Sequence, residues 1–114
     1  LWNEIKPYLE SQVLVAHNAS FDINVLRKTL RHYKLEIPPA RYYCTYQIAR
    51  LVWQESPKFS LDYLCNEMGF EFAHHKADSD AEACARLLLH EAECLGVETF
   101  EQLKRKLKIR SPKL

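Results

Sequence analysis

The sequence contains no apolar run that approaches the roughly 20 residues needed to span a bilayer, and no signal peptide is visible. Internal repeats and low-complexity linkers are also missing, which argues against a repeat architecture. The 114 residues, 47% of them apolar, are enough for one compact domain but not comfortably for two. Because the first residue is Leu1 rather than Met, we expect the chain to be a segment of a longer protein.

Cysteine pairs with the spacing of a zinc ribbon are absent from the sequence. The four cysteines are Cys44, Cys65, Cys84 and Cys94. They form no Cys-x-x-Cys pair, which argues against a zinc ribbon, and a zinc-binding domain that uses His74, His75 and the cysteines fits the pattern poorly. The last three cysteines fall in segments of helical periodicity, where free cysteine behaves as a small apolar residue. We therefore expect reduced thiols and a cytoplasmic protein.

Acidic residues are absent from the end of the chain. All fifteen lie at or before Glu101, and six basic residues follow: Lys104, Arg105, Lys106, Lys108, Arg110 and Lys113. The other ten basic residues face fifteen acidic ones, so the body of the chain carries −5, which suits a protein that gathers cations. The basic end either contacts phosphates or is a solvated end that keeps the protein soluble.

Hydrophobic periodicity predicts a mostly helical chain. The first half is predicted to form a helix over 1–10, a short buried strand over 12–17 and an amphipathic helix over 21–34. Prolines in "EIPPAR" end that helix, and residues 42–54 begin β-rich before they acquire helical spacing. Since a one-stranded sheet is not stable, an α/β domain needs further strands from outside this segment.

Three more helices are predicted in the second half. Ser60 is a plausible N-cap for a helix over 61–68 that stops at Gly69, and Thr99-x-x-Gln102 is a capping-box pattern for a helix over 100–107. The longest helix runs over 79–95. Its predicted buried face consists of Ala81, Cys84, Ala85, Leu88, Ala92 and Leu95.

Titratable side chains are concentrated at the N-terminus of this long helix, in the segment "HHKADSDAEA" (74–83). Asp78 or Ser79 can cap the helix, and Asp80 then lies in its first turn, where the positive helix end keeps a carboxylate charged and fixed. A fixed carboxylate is a ligand for a divalent cation, and His75, on the irregular segment before it, is placed to take a proton from water. Taken alone, however, an Asp at a helix start is more often a cap or dipole partner than a metal ligand.

Asp22 is a second candidate ligand. It follows the predicted strand as the next helix opens, and strand ends are where α/β proteins place their ligands. The residues by themselves thus leave a metal-dependent hydrolase open beside purely structural roles.

The two segments together strongly resemble the DEDDh 3′–5′ exonuclease family, which includes the proofreading epsilon subunit of bacterial DNA polymerase III and ribonuclease T. The segment "HNASFD" (17–22) fits the family's second motif, His-Asn-x-x-Phe-Asp, and "HKADSDA" (75–81) fits its third, His-x-Ala-x-x-Asp-Ala. Two segments between them, "CTYQIARL" and "SLDYLCNEMG", also look familial. The resemblance implies an α/β, ribonuclease H-like exonuclease fold over residues 1–114.

The resemblance also implies roles for individual residues. Asp22 and Asp80 are the expected ligands of two divalent metal ions, Mg²⁺ or Mn²⁺, and His75 is the expected general base on the attacking water. Asp78, at a free position of the motif, is assigned the capping role. Phe21 is expected to pack within its motif, and His17, Asn18 and Phe21 are candidate nucleic-acid contacts.

The family's first motif, an Asp-x-Glu pair on an upstream strand, has no counterpart before His17. We therefore expect a partial exonuclease domain, cut before its first strands, that retains one or two strands and an incomplete metal site. Two carboxylates cannot hold two metals against water, so the isolated segment should be inactive although the parent protein is an active 3′–5′ exonuclease. The unpaired strand edge also predicts that the isolated segment forms a homodimer, either by edge pairing or by packing its exposed apolar face against a copy.

Two functions remain open. The first is hydrolysis at single-stranded DNA or RNA 3′ ends, in DNA proofreading or repair, with a DNA polymerase subunit as a candidate partner. The alternative is a non-catalytic interaction module on an exonuclease scaffold. Aromatic and basic side chains could cradle a nucleic acid, although core packing and a solvated face are their more common roles: Tyr42, Tyr43, Tyr46, Trp53, Arg27, Lys28, Arg31 and Lys34.

Overall fold

A computed structural model describes residues 1–10, 12–70 and 76–114. The elements in chain order are α1 (Trp2–Glu10), β1 (Val13–Ala16), α2 (Ala19–His32), β2 (Arg41–Cys44), α3 (Thr45–Val52), α4 (Leu61–Glu67), α5 (Ala77–Leu95) and α6 (Phe100–Leu107). The predicted mostly helical α/β chain is confirmed. In the described ranges, no helix has the length and apolar character needed to cross a membrane.

The sheet is a parallel pair joined by α2. β1 lies beside β2, with Val13 opposite Arg41 and Ala16 opposite Cys44. Parallel strands need a crossover connection, and α2 supplies it. The prediction of a buried strand was wrong in its degree of burial, since Val13 is exposed and the rest of β1 is half-buried. Within the described residues, β1 has a strand neighbour on one side alone.

The end of the chain covers the other edge of β2. The Tyr42 amide donates to the Pro112 carbonyl at 3.1 Å, and the Leu114 amide donates to the Ala40 carbonyl at 2.8 Å. Arg41 and Lys113 face each other as an antiparallel bridge. Residues 111–114, called the tail below, are therefore docked on the sheet rather than solvated throughout.

Helix α3 stands between two apolar clusters. Ile48 packs with Tyr43 and Leu103 on one side, where the Tyr43 ring stacks on Phe100 with centroids 4.7 Å apart. On the other side, Ala49 packs with Leu64 and Leu87. Burying both faces of a short helix fixes β2, α4, α5 and α6 around it.

The buried face of α5 differs from the predicted one. Ala81 and Ala85 are exposed, and the buried residues are Ala83, Cys84, Leu87 and Glu91. Apolar residues occur around most of this helix, so periodicity alone did not determine its orientation. The helix also begins at Ala77, two residues earlier than predicted.

The remaining helix-end predictions had mixed outcomes. The Thr99 capping box on α6 is confirmed, with both reciprocal hydrogen bonds formed. Ser60 is the N-cap residue of α4 but makes no side-chain cap bond. All four cysteines are free, as expected, and Cys65 and Cys84 are buried, whereas Cys94 is exposed and does not act as a core residue.

Candidate active site

A tight turn at the end of β1 positions the first candidate ligand. Asn18 takes a left-handed backbone conformation (φ 61°), which Asn adopts more readily than most residues. Helix α2 then begins at Ala19, whose amide donates to the Cys44 sulfur at 3.3 Å. Asp22 thus lies in the first turn of α2, where a carboxylate is favoured by the helix dipole.

His17 ties this turn to two other segments. Its Nε2 lies 2.7 Å from the Phe59 carbonyl and its Nδ1 lies 2.8 Å from the Thr45 hydroxyl. Burial lowers the pKa of His17, against the opposing effects of the Phe59 carbonyl and Asp22. A neutral ring that donates from Nε2 and accepts at Nδ1 satisfies both partners. Both ring nitrogens are therefore engaged in holding the turn.

The second candidate ligand lies at the start of α5. Asp78 and Asp80 are both in its first turn, and the N-cap position is Lys76, which makes no side-chain cap bond. The predicted capping by Asp78 or Ser79 was wrong, because the helix begins before either residue. Asp78 is exposed, whereas Asp80 is partly buried.

Asp22 and Asp80 line the same cavity, of about 1020 Å³. His17 and Asn18 lie in its wall, together with the start of α4. This is the convergence that the two motifs predicted for the carboxylates. His75, the expected base, and His74 fall outside the described residues.

Three further side chains in the cavity wall bear on the site: Tyr46 was a candidate nucleic-acid contact, whereas Asp62 and Lys58 were not predicted as site residues. Asp62, Lys58 and Tyr46 contribute to the wall. Asp62 lies in the segment "SLDYLCNEMG", whose resemblance to the family assigned no role to it, and Lys58 lies outside every segment that resembles the family. Their positions depend on how the 57–62 segment folds back over β1, which local sequence does not encode. With Asp22 and Asp80, these residues give the cavity three carboxylates and one ammonium.

The carboxylates partly fit a divalent-cation site. Mg²⁺ takes six oxygen ligands and is commonly bound through one or two carboxylates plus water and substrate phosphates. Asp22 and Asp80 can provide those carboxylates. Among the described residues no three His, Cys, Asp or Glu side chains form a metal-binding group, so these residues do not by themselves make a complete two-metal centre.

The aromatic candidates separate by burial. Phe21 is 67% exposed, so its expected packing role was wrong in this chain and its ring is accessible to a ligand. Tyr43 is a core residue, and Trp53 packs against the cluster around Ala49. Tyr46 remains at the cavity, with its ring edge-on to His17.

A second cavity, of about 760 Å³, lies beside Trp53 and His90. It contains Glu55 and Glu67 but neither motif acid. The candidate chemistry is therefore assigned to the cavity between α2 and α5.

Comparison with known proteins decides the family. The model of a family described as exonuclease matches residues 1–88 of the chain. The chain belongs to the exonuclease family. The predicted resemblance to 3′–5′ exonucleases is thereby confirmed.

Individual relatives of this exonuclease-family chain are named as 3′-5′ exonucleases. The 3′-5′ exonuclease DinG of Staphylococcus aureus (strain USA300) is 29% identical over 101 residues, and the protein from strain NCTC 8325 gives the same match. The aligned part is 88% of this chain but 11% of each relative, so the chain spans about a tenth of their length.

A solved structure supports the fold assignment. Exonuclease X in complex with 5′ overhanging duplex DNA superposes with a TM-score of 0.68 at 30% identity, covering 92% of this chain and 60% of that one. The predicted exonuclease fold is confirmed.

Proposed function

We propose that this domain belongs to a metal-dependent 3′–5′ exonuclease that hydrolyses phosphodiester bonds at DNA 3′ ends. One observation carries the proposal: Asp22 and Asp80, from two separate motifs, line one cavity. The names of the relatives support the direction of cleavage. The DNA bound to Exonuclease X, a duplex with a 5′ overhang, supports DNA as the substrate. Proofreading or repair, a polymerase partner and a cytoplasmic location remain predictions.

Individual residues of the chain would have the following roles in this reaction. Asp22 and Asp80 would hold divalent cations, which supply charge stabilisation to the phosphoryl group when bound. His75 would accept the proton of the attacking water. His17 would act as a positioning residue, since its hydrogen bonds hold the turn that places Asp22. Lys58 would contact a substrate phosphate, and Tyr46 would offer a face to the terminal base.

The decisive experiment replaces each carboxylate in the whole protein that carries this chain. Asp22→Asn and Asp80→Asn should each reduce digestion of a recessed 3′ end by on the order of 10²–10³-fold, because the cation site loses a ligand. His75→Ala should cost about 10²–10⁴-fold. Rates would be measured with Mg²⁺ and with Mn²⁺ on 3′-labelled duplex DNA.

Asp78→Asn is the matched control. It removes the same charge from the same turn of α5, but Asp78 is exposed and lies outside the cavity wall. Its rate should stay within a few-fold of the unsubstituted protein. Near-normal rates for both Asp22→Asn and Asp80→Asn would end the assignment and favour the non-catalytic interaction module.

The 114-residue chain alone should be inactive. No Asp-x-Glu pair precedes the second motif, and the described residues present an incomplete ligand set. Incubation of the purified chain with labelled DNA and either cation tests this. Robust metal-dependent digestion would show that the chain carries a sufficient site.

A further inference from the structure

The docked tail brings together cations that are separated in the sequence. The Arg27 Nη2 donates to the Lys113 carbonyl at 2.8 Å, and the Arg41 Nη1 donates to the Ser111 carbonyl at 2.7 Å. Two arginines, one from α2 and one from β2, thus hold the tail backbone, and Lys113 lies between them.

This arrangement sets like charges side by side. Arg41 and Lys113 are bridge partners across the β2 edge, and like charges directly opposite each other are destabilising. Arg31 adds another cation one turn beyond Arg27 on the same side of α2. Among the described residues, none of these four has an acidic partner within ion-pair distance.

Acidic residues are absent from the three segments that build this surface. None occurs between Ile23 and Leu35, between Ile37 and Gln54, or after Glu101. We define the tail patch as Arg27, Arg31, Arg41 and Lys113. Its repulsion would be relieved by a polyanion, which a phosphate backbone supplies.

We infer that the tail patch is a second nucleic-acid contact, which holds the phosphates of a single strand away from the cavity that takes the 3′ end. Arg27 follows Asp22 by five residues, so the two lie ~140° apart around α2 and ~8 Å apart along it. The patch and the cavity thus face different ways and engage different parts of one strand. The inference rests on the proposed function for the identity of the ligand.

The test uses an end-free probe. The 114-residue chain is titrated with a labelled circular single-stranded DNA in EDTA, so that neither a 3′ end nor a divalent cation contributes. Affinity should fall as salt rises, with a log–log slope that loses about 0.7 for each cation removed. Arg31→Gln with Lys113→Gln should therefore lower the slope by about 1.4 and the affinity at 0.1 M salt by roughly 25-fold.

These substitutions spare Arg27 and Arg41, whose side chains hold the tail, and circular dichroism melts would verify folding. Lys6→Gln is the control, because it removes one charge from a lysine of α1 that pairs with Glu10. It should leave the affinity and the slope unchanged.

Two results would overturn the inference. One is an absence of binding, or an affinity and slope that the double variant does not change. The other is equal competition by polyglutamate, charge for charge, which would identify an acidic polypeptide as the occupant. If the double variant loses binding of the circle but the parent protein is inactive, the proposed function is contradicted and the tail patch is not. If the parent protein digests DNA normally with a divalent cation but the double variant binds the circle unchanged, the tail patch is contradicted and the proposed function is not.

Discussion

Glu91 is the residue whose environment is least expected from its chemistry. It is fully buried on α5, and neither carboxylate oxygen has a hydrogen-bond partner among the described residues. Burial, with a smaller contribution from Cys44, raises its pKa to about 9. The folded chain therefore keeps this carboxyl protonated at neutral pH, whereas the unfolded chain ionises it.

This difference makes stability fall as pH rises. Between the ordinary pKa of 4.5 and about 9, the folded state binds more protons than the unfolded state, so the free energy of unfolding decreases with pH. Glu91→Met should remove this slope and stabilise the chain at pH 7–8 by about 1–3 kcal/mol. Urea unfolding at pH 5, 7 and 9 measures both effects.

Glu93→Met is the control for Glu91, since Glu93 is exposed on the same helix and lies 3.9 Å from His90. Its stability should change by ~0.5 kcal/mol or less, with the original slope retained. An unchanged slope in Glu91→Met would show that another group titrates in this range.

His17 and Thr45 form a second residue-scale unit. Thr45 is fully buried and bonded to the imidazole, so removal of either partner leaves a polar group unsatisfied. His17→Ala and Thr45→Val should each cost about 1–3 kcal/mol, with a coupling of roughly 0.5–3 kcal/mol in the double variant. Denaturant unfolding of the two single variants and the double variant measures these free energies as a double-mutant cycle. Strict additivity would contradict the coupling, and the exposed His32→Ala should have little effect.

At the scale of elements, α6 depends on its N-terminal cap. The Thr99 hydroxyl accepts from the Gln102 amide at 3.1 Å, and the Gln102 side chain accepts from the Thr99 amide at 3.3 Å. Thr99→Ala should destabilise the chain by about 1 kcal/mol, because Leu103 carries α6 into the core around Ile48. Thermal unfolding measures the loss.

Thr29→Ala is the control for Thr99→Ala, because it removes a threonine hydroxyl from within a helix rather than from an N-cap. The Thr29 hydroxyl bonds back to the Val25 carbonyl on the exposed side of α2, and Ala has the higher helix propensity. This variant should be neutral or slightly more stable. Equal losses in the two variants would mean that the cap contributes nothing specific.

The elements also show what local sequence could predict. The α6 cap and a change from β-rich to helical sequence within residues 42–54 were predicted, because capping and periodicity are encoded within a few residues. The structure places that change after Cys44. The start and the buried face of α5 were not, since the apolar residues surround much of that helix and Glu91 was assigned no buried position. Asp22 and Asp80 were predicted through their motifs, whereas Lys58 and Asp62 reach the cavity through tertiary folding alone.

At the scale of the whole molecule, the two sheet edges differ. The tail covers β2 with hydrogen bonds from Tyr42 and Leu114. β1 has no strand on its outer side among the described residues, and Val13 on it is 42% exposed. An open edge presents backbone donors and acceptors to another chain. We therefore predict that the 114-residue chain forms a homodimer through β1.

Val13→Lys should shift this dimer towards monomer, because a charged side chain at an edge opposes strand pairing. Light scattering coupled to gel filtration would report the mass across a concentration series. Val25→Lys is the matched control, because Val25 is 50% exposed but lies on α2 rather than on a strand. The Val25→Lys variant should therefore remain a dimer. A concentration-independent monomer for the unsubstituted chain would contradict edge pairing. Dissociation by both variants would assign the contact to general apolar surface instead.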